Sequence, residues 1–367
     1  MKIVMSWIKK KIISGTIILF SCLVALVIVE MVLRVFDGGS WAVTRQANIL
    51  RNFQHSYRID NLYQSDKIFN HYKRDNYGLR GEYSNLEDID VLCIGGSTTD
   101  QRYVTLESTF QSILETNLKK VDPNFGFIVN AGVDGHSTWG HLFSFEKWFP
   151  LIPNLRPKYV LLYVGVNDAP FEQIYNPRFR KRQSGVKGFL KQLELVNALM
   201  PLFNFLKTKI PTSAVDFASH NKRVYSDADY SVTSLHEDTA RLSKENALAF
   251  KARMVQILDY IQELGAIPVC VTQPHRYTVL KNGKRYGIPN VFGEGFSGVD
   301  FDYSLNEINL VLRQLFGENI LDLNSYPFNN EDFYDGVHTT ASGSQNVGEA
   351  MSTYFISRFY SDVNDLN

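Results

Sequence analysis

The sequence predicts a doubly wound α/β domain behind a single membrane-spanning helix, and three observations carry that expectation. Eighteen consecutive residues near the start, Ile12 to Val29, contain no charge. Beyond residue 88, short apolar runs alternate with longer stretches of helical period. The apolar runs are near-continuous in Val, Ile and Leu, which suits strands buried on both faces of a parallel sheet.

Residues 1–11 carry Lys2, Lys9, Lys10 and Lys11, whereas the near flank beyond the apolar run has only Arg34 and Asp37. Residues 12–35 are long enough to cross the hydrocarbon core of a bilayer. Glu30 and Arg34 stand one helical turn apart within that stretch and can pair. The positive-inside rule then puts the N-terminus in the cytoplasm and the rest outside the cytoplasmic membrane. A cleaved signal peptide would show a shorter apolar core and a small-x-small site. "LFSC" around Cys22 resembles a lipoprotein acylation box, but the apolar run continues past it. An uncleaved signal anchor is the expectation.

Residues 36–87 are polar and spotted with aromatics, with no dominant hydrophobic period. They are expected to form a juxtamembrane segment packed on the domain, with "NYGLRG" as a turn. The domain itself is expected over 88–362. Its strands are "IDVLCIGG", "GFIVNAG", "KYVLLYVG", "AIPVCVTQ" and the weaker "NILDLN". Between and after them lie helical stretches, of which "DTARLSKENALAFKARMVQILDYIQELG" is the longest. Strands alternating with helices argue a doubly wound sheet, whose functional site lies beyond the carboxyl ends of the strands.

An insertion over about 169–238 breaks the alternation. In it Arg178, Arg180, Lys181 and Arg182 precede an apolar stretch containing Pro201. It is expected either to pack on the domain or to lie on lipid head groups or an anionic envelope polymer.

Composition excludes more than it selects. Lys plus Arg equals Asp plus Glu, 38 against 38, so charge balance suggests no nucleic-acid partner. The three cysteines name no disulfide framework: Cys22 lies in the span, and Cys93 and Cys270 lie in strand-like runs as buried thiols. Oligomeric state is not set by the sequence.

The chemistry collects at the strand ends. Gly95-Gly96-Ser97 follows the first strand, "NAGVDGHS" with Gly132 the second, "GVND" with Asn167 the third, "TQPHRY" the fourth, and "DGVH" the fifth. A serine nucleophile needs a base for its proton, and the base needs an orienting acid. Ser97 is the candidate nucleophile, His338 the base and Asp335, three residues away, its partner. An oxyanion would be met by the backbone N–H groups of Ser97 and Gly132 and by the Asn167 side chain, with Ser97 at a helix N-terminus. Asp168 is read as structural. His136, His275, Arg276 and Tyr277 follow strand ends and are candidates for substrate contact. No metal-ligand spacing such as H-x-x-x-H or C-x-x-C is present, so neither metal nor cofactor is expected. "GGSTT" fits neither a dinucleotide fingerprint nor a P-loop.

These blocks resemble those of the SGNH, or GDSL-type, hydrolase superfamily, whose name residues correspond to Ser97, Gly132, Asn167 and His338. "GVND" and "DGVH" are similar to its G-x-N-D and D-x-x-H patterns. The resemblance implies a three-layer α/β/α sandwich around about five parallel strands, and metal-free ester hydrolysis or acyl transfer. One position departs: Gly96 stands where the family usually has Asp. The expected substrate is an O-acyl ester on a small molecule or glycan, specifically O-acetyl on an envelope glycan. Two alternatives are an O-acyltransferase using the same triad and a non-catalytic glycan-binding scaffold.

Overall fold

The computed structural model describes residues 2–36, 41–171, 220–292 and 295–360, with 193, 195, 196 and 199 between them. Helix α1 (Lys2–Phe36) comes first. Its Ile13–Leu33 stretch has a mean hydropathy of 2.8 and none of it is buried against protein. It is one helix long and apolar enough to cross a membrane.

Strands β1 (Phe53–Arg58) and β2 (Phe69–Arg74) then form an antiparallel hairpin, Phe53 opposite Arg74. The sequence showed no strand period here for a physical reason. The inward positions of β2 are Asn70, Tyr72 and Arg74, so alternation exists in burial but not in hydrophobicity. After β2 the chain reverses at Asp75–Leu79, with Gly78 at φ +84 in the left-handed region that favours glycine.

The main sheet follows. Strand β3 (Ile89–Gly95) leads through the short helix α2 (Ser97–Asp100) to α3 (Phe110–Val121) and β4 (Phe127–Asn130). Helix α4 (Thr138–Phe143) runs into one π turn before β5 (Tyr159–Tyr163). Beyond the insertion come α5 (Thr239–Glu263), β6 (Ile267–Val271) and a small hairpin of β7 (Thr278–Lys281) and β8 (Lys284–Gly287). That hairpin turns on Asn282-Gly283, both at positive φ, the pair that a two-residue hairpin turn favours and that the sequence carries as "KNGK". Helix α6 (Gly298–Phe316), the two-residue β9 (Ile320–Leu321) and α7 (Ala341–Phe359) complete the chain.

The five strands pair in the order β4-β3-β5-β6-β9, all parallel. Alternating residues divide the core between two faces. Val91, Cys93, Leu161 and Tyr163 meet α3 and α7 through Phe110, Leu114, Val347, Met351 and Phe355. Leu92, Ile94, Val160 and Leu162 face α5 and α6, which present Phe250, Met254, Ile257 and Ile261, and Phe301, Leu305, Ile308 and Leu312. Apolar residues at steps of three and four put one stripe of each helix on the sheet. The result is the three-layer α/β/α sandwich with five parallel strands that the sequence predicts.

Strand order sets where a site can form. The chain leaves β3 toward β4 on one side and returns to β5 on the other, so a crevice opens beyond β3 and β5. Ser97 follows β3 and Asn167 follows β5. The basic cluster at Arg178, Arg180, Lys181 and Arg182 lies outside the described residues.

Candidate active site

Two glycines bring the chain out of β3. A Cβ on Gly95 would collide with Thr99 and the Tyr163 carbonyl, and one on Gly96 with the Asn167 amide and the His136 carbonyl, the latter at 3.0 Å. This accounts for Gly96: the Asn167 side chain occupies the space that an Asp there would need. Helix α2 is only four residues long and ends at Gln101 in the left-handed region, so it supplies far less dipole than a full helix would.

His338 arrives from a tight loop after β9. Asp335 Oδ1 accepts from the backbone N–H of Val337 and of His338, at 2.9 and 2.8 Å. The same carboxylate, through Oδ2, holds His338 Nδ1 at 2.7 Å. His338 Nε2 lies 2.7 Å from Ser97 Oγ. Burial penalises the charge on Asp335, but His338 and three hydrogen bonds outweigh it and hold the pKa at about 2. Burial also disfavours the His338 cation, yet the Asp335 charge and hydrogen bond prevail and raise its pKa above the ordinary histidine value. The Tyr334 ring stacks on the imidazole, centroids 5.5 Å apart.

The loops are tied together across the crevice. Gln273, beyond β6, accepts from Val166 N–H at 2.8 Å and donates to Thr98 Oγ1 at 2.5 Å. Gln101 accepts from Phe110 N–H and donates to Thr339 Oγ1, next to His338. Asp168 accepts from the N–H and hydroxyl of Thr138 and faces Arg253, which fixes the neighbouring Asn167. Asn167 Nδ2 donates to the His136 carbonyl at 2.8 Å, leaving its second amide hydrogen for another acceptor.

Behind Ser97, the β1–β2 segment forms a buried charged clamp. Arg74, 3% exposed, donates to Asp100 Oδ1 and to the carbonyls of Asn130 and Gly132. Arg80 donates to the carbonyls of Asp100, Gln101 and Val104. Tyr72 and Arg102 complete the ring around Asp100. The chain around Ser97 is therefore held by groups from the segment that precedes the sheet.

Several expected site residues do other work. The Gly132 N–H donates to Asn130 Oδ1 at 2.9 Å, and a Cβ there would press on Thr99 and the Asp100 N–H. Its absent side chain serves close packing on α2, and its N–H is already engaged. His136 is 2% exposed, with Nε2 2.6 Å from the Ala47 carbonyl, and burial drives its pKa down to about 4. His275 is buried against Asp302 at 3.1 Å. Arg276 donates to the carbonyl and side chain of Asn330, and its N–H reaches the Gly336 carbonyl. The Tyr277 ring packs so closely on Gly336 that no Cβ fits there. Arg276 and Tyr277 thus brace the loop that carries Asp335 and His338.

One residue at the site was missed altogether. His220 lies with its ring 4.4 Å from that of His338 and 4.8 Å from that of Tyr103, and its Nδ1 is 2.9 Å from the Tyr334 hydroxyl. Burial, then repulsion from His338, lowers its pKa to about 4. Nothing in the sequence around "ASHNKR" marks it, because folding alone brings it to the site.

No family model matches the chain, and no curated protein matches it. Among solved structures it is similar to the acetyl xylan esterase AlAXEase, at 16% identity over 72% of this chain and 98% of that one, with a TM-score of 0.39. It is also similar to a putative G-D-S-L family lipolytic protein from Desulfitobacterium hafniense, at 12% identity, 72% and 98% coverage and a TM-score of 0.37. An acetylxylan esterase from Geobacillus stearothermophilus shows 13% identity, 73% and 93% coverage and a TM-score of 0.39. At such identities and scores the likeness speaks to neither activity nor substrate.

Proposed function

We propose that the protein is a serine esterase that hydrolyses acyl esters, with Ser97 as nucleophile, His338 as general base and Asp335 as its orienting acid. The observation that carries this reading is the continuous chain from Asp335 Oδ2 through the His338 imidazole to Ser97 Oγ, both links 2.7 Å. Ser97 Oγ attacks the ester carbonyl while His338 Nε2 takes its proton. Asp335 holds the imidazole in the tautomer with its lone pair on Nε2 and stabilises the cation that forms. His338 next protonates the departing alcohol, then removes a proton from the water that releases the acyl group.

Among the described residues, the developing oxyanion has two donors not otherwise spent, the Ser97 N–H and the second hydrogen of the Asn167 amide. A third comes from the turn Val133–His136. There Gly135, at φ +78, has an N–H that makes no hydrogen bond among the described residues. It adjoins His136, whose carbonyl binds Asn167. Gly135 replaces Gly132 in that role. Asn167→Ala is expected to lower kcat by about 10²–10³-fold with little change in KM, since the donor acts on charge that exists only in the transition state. A steady-state comparison on an aryl acetate checks this.

Activity is expected to rise with pH through a limb whose midpoint lies above 6.5, because Asp335 favours the His338 cation and only the neutral imidazole takes the serine proton. A pH profile of kcat/KM centred below that value would contradict the assignment.

In this reading α1 anchors the enzyme and the sheet domain faces the extracytoplasmic side, where O-acetylated envelope glycans are the substrate class. The support is the apolar span, the lysines before it and the triad. Incubation of the full chain in detergent with acetylated envelope polysaccharide, followed by acetate release, tests the substrate. Absence of release, with aryl acetates still cleaved, would remove the glycan and leave the esterase.

A further inference from the structure

The His220 imidazole beside the triad creates a set of groups that ester hydrolysis does not require. His220, Asp335 and His338 each offer one ligand atom, and these atoms all lie within 4.8 Å of one another. We propose that this trio is a binding site for a divalent transition-metal cation of the Zn²⁺ class, and that occupancy switches the esterase off.

The donor set selects the ion. Two imidazoles and one carboxylate suit Zn²⁺ and its neighbours, whereas Mg²⁺ and Ca²⁺ require oxygen-rich shells. Tetrahedral Zn²⁺ at about 2.0–2.1 Å from each ligand needs donors roughly 3.3 Å apart, so the trio has to rearrange around the ion. Asp335 and His338 already adjoin, and their hydrogen bond gives way to the ion. His220 is the member that closes.

Its surroundings prepare it for that. The contact between Nδ1 and the Tyr334 hydroxyl orients the ring and leaves Nε2 without a partner among the described residues. Metal-bound imidazoles are commonly held in this way by their second nitrogen. Asp134 adds negative charge that acts on both imidazoles and so favours a cation between them, partly offset by Arg102, which pairs with it at 3.5 Å.

Inhibition follows from which atoms a metal would take. Ligation through His338 Nε2 removes the lone pair that accepts the Ser97 proton. Ligation through Nδ1 displaces Asp335 from the imidazole. Neither leaves a working base, so metal and catalysis exclude each other. No bond to substrate forms or breaks in the switch, and chelation of the ion reverses it.

The binding claim stands on geometry, while the silencing claim rests on the proposed role of His338; two measurements separate them. The first is Zn²⁺ titration of the full-length chain in detergent by calorimetry, for wild type, His220→Ala and His220→Gln. One saturable site is expected in wild type. Both variants should bind more weakly by more than the 10–100-fold that loss of an outer hydrogen-bonding partner costs. His220→Gln keeps a polar group against Tyr334, so a fold defect confined to the alanine variant would be exposed.

The second measurement is the rate at which a fluorophosphonate labels Ser97, with and without Zn²⁺. Zn²⁺ is expected to slow labelling of wild type at least tenfold, EDTA to restore it, and the ratio to fall toward one in His220→Gln. Equal Zn²⁺ affinity in wild type and both variants, or no saturable site in wild type, would overturn the metal site. One-site binding with unchanged labelling would overturn the switch and keep the site. Absence of labelling under every condition would instead count against Ser97 as nucleophile, leaving the titration to decide on the metal.

Discussion

Ser97→Ala is expected to lower kcat/KM toward aryl acetates by about 10⁴–10⁶-fold while leaving the protein folded. The size follows from the way a triad works: base and acid have no function once the nucleophile is gone, so one removal costs nearly as much as all three. Residual turnover would come from the oxyanion donors acting on water. The fold should tolerate the change, because Ser97 Oγ is engaged at the edge of the crevice by His338 and is not buried in the core. Thermal unfolding within a degree or two of wild type, together with loss of turnover, is the required pattern. A variant retaining more than a few per cent of activity would refute Ser97 as nucleophile.

Asp100→Ala is expected to give the largest loss of stability of the substitutions considered, on the order of 3–5 kcal/mol. Asp100 is 1% exposed and is the only carboxylate bonded to Arg74 among the described residues. Removing it leaves a buried guanidinium uncompensated, which costs more than the pair contributes when intact. At roughly 2–4 °C per kcal/mol for a domain of this size, melting should fall by about 10 °C. Arg241→Ala, which breaks only exposed pairs with Asp238 and Glu245, is the control and should barely move the transition.

The same carboxylate gives a pH signature. Burial alone would raise its pKa, but Arg74 and Arg102 outweigh burial and hold it below the ordinary value of 3.8. A depressed folded-state pKa contributes stability above the unfolded value and loses it as pH falls through the folded one. The wild-type and Asp100→Ala stability curves should therefore run parallel at neutral pH. They should converge only below about pH 4. Parallel curves down to pH 2 would show that the charge is not what stabilises the clamp.

The sheet was legible because its strands are buried on both faces. Ile89–Gly95 and Tyr159–Tyr163 read as continuous apolar runs, and no tertiary contact was needed to see them. The β1–β2 hairpin was not legible, because its inward residues are Asn70, Tyr72 and Arg74, and polar groups turned inward erase the pattern that marks a strand. Sequence also assigned Gly132 to the oxyanion and His136, His275, Arg276 and Tyr277 to substrate. For the last four, proximity to a strand end was right, but side-chain direction was decided by a partner distant in sequence, such as Ala47, Asp302 or Asn330. For Gly132 the neighbouring Asn130 side chain takes the N–H.

The sequence by itself determined the α/β alternation, the apolar span and the residue types from which Ser97, Asn167, Asp335 and His338 could be named. Such information is local: a strand's burial and a short motif are written in adjacent residues. Only the tertiary structure decided that Asn167 fills the space above Gly96, that Arg74 and Arg80 grip the chain around Ser97, and that His220 faces His338. These depend on the convergence of chain segments that are far apart in the sequence. Hydrogen bonds and steric exclusion act over a few ångströms, and no local pattern records which distant groups folding will bring that close.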